Sequence, residues 1–142
     1  MTPSAAYLDT NVLVRFLVRD NAAQWRAAEA LLDLPRSRRP RLILTAATLS
    51  EVVFVLSKSV YQYPRSQVAD AVEGLLSLPI EVIDADVIAS AADIFRNRHP
   101  EWDDALVAAY ALARADGGIY TFDEQLRRLQ GLNPLPFPVP EP

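Results

Sequence analysis

Residues 5–14, Ala-Ala-Tyr-Leu-Asp-Thr-Asn-Val-Leu-Val, join an apolar run to a helical one through an acid. Residues 5–8 suit a buried strand. Asp9, Thr10 and Asn11 are types that satisfy the free N–H groups of a helix start, and Val12, Leu13, Phe16 and Leu17 then recur at helical spacing. Short apolar runs return at residues 42–45, 80–83 and 119–122, with helical stretches between them. Strands alternating with helices imply a parallel sheet covered on both faces and joined by right-handed crossovers. The expected order is β-α-α-β-α-α-β-α-α-β-α. The fold class is a single-domain α/β/α sandwich with a central parallel sheet of four or five strands.

Asp20 or Asn21 can cap the second helix, which carries Trp25, Ala28, Leu31 and Leu32 on one face. Residues 35–41 form a basic, proline-punctuated loop. Residues 46–59 read as a helix apolar nearly all round, with Glu51 in its middle. An acid there either lies at an opening in the core or on a helix edge facing water. Ser66 can cap the next helix, Asp84 or Asp86 the one after it, and residues 103–115 form an alanine-rich helix stopped by Gly117 and Gly118. Residues 124–129 read as a short last helix. The segment from Asn133 to Pro140 alternates proline with other residues, so it is expected as an extended tail and not a central strand. The domain is expected over 1–130 and a proline-rich tail over 131–142.

The chemistry available is narrowed by what is missing. With no cysteine, disulfides and thiolate metal sites are excluded, and His99 as the only histidine argues against a His-based zinc site or a Ser/His triad. Oxygen ligands remain, which suit magnesium or manganese. A net charge of −4 argues against coating nucleic acid by bulk electrostatics. The sequence shows neither a membrane-length apolar stretch nor a basic-then-apolar leader, so a soluble cytoplasmic protein is expected.

The acids gain meaning as a set. Asp9 and Asp123 each close an apolar strand, and in a parallel sheet those ends lie at one edge, where ligands bind. Glu101 and Asp104 are three apart and share a helix face. A pocket lined by Asp9, Glu51, Asp104 and Asp123 is therefore expected. Bare carboxylates a few ångströms apart raise one another's pKa and share protons; a divalent cation removes the repulsion. Such ions polarise a phosphodiester and activate water, which points to phosphoryl transfer and most simply to nuclease hydrolysis.

Residues 8–13 (Leu-Asp-Thr-Asn-Val-Leu), 50–52 (Ser-Glu-Val), 104–109 (Asp-Ala-Leu-Val-Ala-Ala) and 120–123 (Tyr-Thr-Phe-Asp) resemble the four motifs of the PIN-domain ribonucleases, in the family's order. The resemblance runs from about residue 5 to 130, and size and helix content are most similar to the VapC-type toxins of bacterial toxin–antitoxin pairs. It implies a Mg2+- or Mn2+-dependent endoribonuclease, a homodimer, held inactive by a cognate antitoxin. By the same resemblance Asp9 and Asp104 match the principal metal-ligating acids and Glu51 and Asp123 the other two. Thr10, Asn11 and Thr121 match polar positions near the pocket. The motif places its acid directly before Ala-Leu-Val-Ala-Ala, which selects Asp104; Asp103 is left as a helix cap and Glu101 as an accessory acid.

Other features have two readings each. Arg36, Arg38, Arg39 and Arg41 either contact RNA phosphates or an acidic antitoxin, or form a solvated loop. Tyr61, Tyr63 and Trp102 either stack on bases or pack. His99 lacks evident partners for general-base work. Two functions compete with the ribonuclease. A haloacid dehalogenase-type phosphohydrolase requires a second acid where Asn11 stands and a suitably placed lysine or arginine, and Lys58 is the only lysine. A non-catalytic module of the same fold has no need of all four acids.

Overall fold

Ala5–Tyr7 forms strand β1 in a computed structural model that describes residues 3–142. Its ladder partner is β2, Arg41–Leu44, and β2 in turn pairs with β3, Glu81–Val82. Both pairings are parallel, with Ala5 opposite Arg41 and Ile43 opposite Glu81. The Leu8 amide, donating to the Ile43 carbonyl at 2.9 Å, carries the first ladder one residue further, up to Asp9.

Each parallel crossover holds two helices. Helices α1 (Thr10–Val18) and α2 (Ala22–Asp33) lie between β1 and β2, and α3 (Ala46–Lys58) and α4 (Arg65–Leu76) between β2 and β3. A strand ending in a capping residue is used twice: Asp9 caps α1 and Thr45 caps α3, the Thr45 Oγ1 accepting from the Thr48 amide at 3.1 Å. Leu13, Leu44, Leu49, Val52, Leu56 and Val68 are among the residues that fill the core of this unit, which ends at Ala85. Asn21, not Asp20, caps α2; Asp20 instead accepts from Arg15 and from the Tyr61 hydroxyl. Ser66 does not take the capping position of α4. The helix begins one residue earlier, at Arg65, behind Pro64, whose ring holds φ at −59°.

The second unit, Asp86–Pro142, holds nearly all of α5 (Ala85–Asn97), with α6 (Trp102–Arg114), β4 (Gly118–Ile119), α7 (Glu124–Arg127) and β5 (Asn133–Pro134). Its four alanines between residues 105 and 111 leave α6 a smooth face, three of them fully buried: Ala105, Ala108 and Ala109. Strand β5 pairs parallel with β4, so among the described residues five strands fall into ladders of three and two, and regular structure reaches into the segment expected as a tail. Proline is tolerated there because of register. Asn133 and Leu135 donate to Gly117 and Ile119, while the intervening Pro134 occupies the position whose N–H the ladder does not use. Gly117, at φ +84°, could not be replaced cheaply, since a Cβ would stand 2.3 Å from the Gly131 carbonyl. The α/β class with parallel strands is as expected. Among the described residues, no helix is long and apolar enough to cross a membrane.

Candidate active site

In the first unit the polar residues expected at the site begin with Asp9. Its Oδ1 accepts from the Thr10 amide at 2.8 Å, which caps α1. Capping and ligating are therefore compatible, because one carboxylate oxygen does the first and the other stays exposed for the second. Thr10 is 5% exposed and its hydroxyl donates to Glu51 Oε2 at 2.9 Å. Glu51 itself is exposed, on the water-facing edge of α3, and so carries no burden of desolvation. Thr10, the residue after Asp9, thus ties the acid of α3 to the start of α1.

In the second unit the organiser is His99, which follows α5 and is 2% exposed. Its Nδ1 faces the Glu101 backbone N–H at 3.2 Å and can only accept. In the neutral ring the proton then sits on Nε2, which lies 3.3 Å from Asp123 Oδ2 and 3.6 Å from Asp104 Oδ2. Asp123 divides its oxygens as Asp9 does. Oδ1 accepts from the Gln125 and Leu126 amides and caps α7, which leaves Oδ2 for His99. Thr121 braces the same turn, its hydroxyl accepting from the Asp123 amide at 3.0 Å. The Leu126 amide first, and then His99 and the Gln125 amide, hold the Asp123 carboxyl below its ordinary value.

His99 is the residue that the sequence understates. Its partners lie 5 and 24 positions downstream, and a single histidine among charged neighbours carries no local signal. Asp104 shares this group, whereas Asp103, in the same first turn of α6, is exposed. Asp103 is not the cap either; Glu101 takes that position, without a side-chain bond. Asn11 lines a groove between α1 and α2 with Val12, Arg15 and Gln24. Trp102 is buried edge-on to Phe95, and Tyr61 stacks on Tyr63. The four arginines divide. Arg39 donates to the Leu34, Pro40 and Pro79 carbonyls, and Arg41 makes a two-pronged pair with Glu81, so both have structural work. Arg36 and Arg38 stand exposed in a single 3-10 turn.

The donors fit a hard divalent cation. One oxygen each from Asp104 and Asp123 and one ring nitrogen of His99 lie within 4.8 Å of one another. The oxygens suit magnesium or manganese, but the nitrogen does not act as a ligand in this arrangement. To ligate, Nε2 would have to lose its proton, and Nδ1 would then turn an N–H against the Glu101 N–H. His99 belongs behind the carboxylates, orienting them, as outer partners of metal ligands do.

Acid should weaken the fold in a definite direction. Asp20 is lowered chiefly by Tyr61, Glu81 by Arg41, Asp86 by Arg114 and Asp123 by the Leu126 amide. A carboxyl with a depressed folded pKa adds stability that is complete above its unfolded value and is lost as pH falls through the folded one. Melting temperature is therefore expected to hold above pH ~5 and to drop below ~4, less steeply in high salt because the pairs are exposed. A curve flat to pH 3 would show that these partners contribute nothing.

The comparison with known families adds one finding: a PIN domain model matches residues 6–132. Searches of curated proteins and of solved structures returned no match. The matched span runs through both units and contains each of the acids that Thr10 and His99 engage, and the chain belongs to the PIN domain family.

Proposed function

We propose that this protein is a divalent-metal-dependent endoribonuclease, the toxin of a toxin–antitoxin pair, working as a homodimer in the cytoplasm and inhibited by a cognate antitoxin protein. PIN domains are generally nucleases and typically use divalent metal ions. The observation that carries the reading is the division of labour in Asp9 and Asp123: each spends one oxygen on a helix cap and keeps the other off it, that of Asp123 facing His99.

In this reading Asp9, Glu51, Asp104 and Asp123 hold Mg2+ or Mn2+ and are the catalytic acids. The bound cation supplies charge neutralisation at the scissile phosphate and lowers the pKa of water. The chain's own residues do the positioning. Thr10 fixes the Glu51 carboxylate by its hydroxyl, and His99 fixes Asp123 by its Nε2–H, with Asp104 Oδ2 3.6 Å from the same nitrogen. Thr121 holds the turn from which Asp123 projects, and Asn11, Glu101 and Asp103 are accessory polar groups. Arg36 and Arg38 are the arginines left to meet RNA phosphates or an acidic antitoxin segment, Arg39 and Arg41 being engaged.

The test is cleavage of an RNA pool containing transfer and ribosomal RNA, with Mg2+, with Mn2+ and with chelator. Cleavage that chelator abolishes supports the proposal. Intact RNA in all three conditions, from folded protein, would favour the non-catalytic module.

A further inference from the structure

Three aromatic rings in the second unit stand in water although the chain has a core in which to bury them. Phe122 is 85% exposed, Tyr120 59% and Phe137 43%. They are nevertheless ordered against one another. Phe122 and Phe137 stack with centroids 4.4 Å apart and planes 6° from parallel, and Tyr120 leans on Phe137 at 5.4 Å. Phe137 lies between Pro136 and Pro138, whose rings fix the backbone on either side. Exposed apolar surface of this kind marks an interaction site, since leaving it wet forfeits burial.

Position says what the occupant is. Residues 120–123 run on from β4, and their side chains sort two by two. Tyr120 and Phe122 meet Phe137, while the Thr121 hydroxyl accepts from the Asp123 amide and the Asp123 carboxylate faces His99. One four-residue segment therefore carries both an aromatic surface and a carboxylate assigned above to the reaction. Arginines stand near it. Arg127 donates to the Thr121 carbonyl at 3.3 Å, and Arg98 and Arg128 line a hollow with Gln125 and Gln130, which follow the segment in sequence. Flat rings with a free face, an arginine bonded to the same segment and a carboxylate of the proposed site at hand are the features of a stacking platform for unpaired bases. A duplex keeps its base faces inside the stack and would not be held this way.

We propose that Tyr120, Phe122 and Phe137 form a base-stacking platform that selects single-stranded RNA and seats it beside Asp123. This rests on the ribonuclease reading, but binding can be measured without cleavage. The probe is a fluorescein-labelled single strand of about 12 nucleotides, read by anisotropy in chelator, against the same strand annealed to its complement. Phe122→Ala and Phe122→Leu are each expected to weaken single-strand binding by roughly tenfold, and Phe122→Trp to preserve it, all with unchanged melting temperature. Binding by Phe122→Leu equal to the wild type, or duplex bound as tightly as single strand, would overturn the platform. So would unchanged RNA binding in Phe122→Ala together with lost self-association in sedimentation, which would make the surface a protein interface. The two readings fail separately. Cleavage that is indifferent to Phe122 removes the platform alone, whereas aromatic-dependent binding without cleavage in any metal removes the ribonuclease alone.

Discussion

Replacing Asp104 with asparagine is expected to lower RNA cleavage by roughly 100-fold or more, in a protein that still folds. Folding is spared because the side chain is 39% exposed and asparagine has nearly its shape. What is lost is one anionic oxygen, the one 3.6 Å from His99 Nε2, and with it a share of the charge that binds a cation. Asp103→Asn is the internal control. That residue lies in the same turn, is exposed and stands outside the His99 group, so its rate should stay within about threefold of the wild type. Rates measured under single-turnover conditions decide between them. A silent Asp104 and a crippled Asp103→Asn would reverse the assignment.

Loss of His99 should be felt twice. His99→Ala empties a fully buried site, orphans the Glu101 N–H and withdraws the donor that holds Asp123, which together cost about 2–4 kcal/mol of stability. Cleavage should fall a further 10- to 100-fold at temperatures where the variant is still folded, the usual cost of removing an outer partner of metal ligands. His99→Gln separates the two effects, because its amide offers an N–H near the Nε2 position. Most of the rate is expected to return, with stability only partly restored. Full activity in folded His99→Ala would make the histidine a packing residue only.

Much of this was legible before the fold was known, for identifiable reasons. Strand, acid and helix follow one another within residues 5–18, so local propensity and apolar spacing were sufficient there. The Ala-rich helix α6 and the stop at Gly117 were equally local. What escaped depends on partners distant in sequence. Strand β5 exists because the amides of Asn133 and Leu135 find carbonyls about 16 residues back, and proline content alone argued against it. Arg41 looks free in a basic loop until Glu81, 40 residues on, closes over it. His99 seemed isolated until the chain brought Asp104 and Asp123 to one of its nitrogens and the Glu101 amide to the other. Short-range pattern located the acids; only tertiary structure revealed what holds them.

The central claim is that carboxylates from separate parts of the chain hold a divalent cation. It is tested most directly by titrating Mn2+ into the apoprotein and following free Mn2+ by its paramagnetic signal, for the wild type, Asp9→Asn and Asp104→Asn. Asparagine keeps the cap on α1, so Asp9→Asn changes charge without unfolding the helix. The account predicts saturable binding in the wild type and a loss of at least tenfold in affinity in each variant. Wild-type affinity in both variants, or no saturable binding at all, would contradict it.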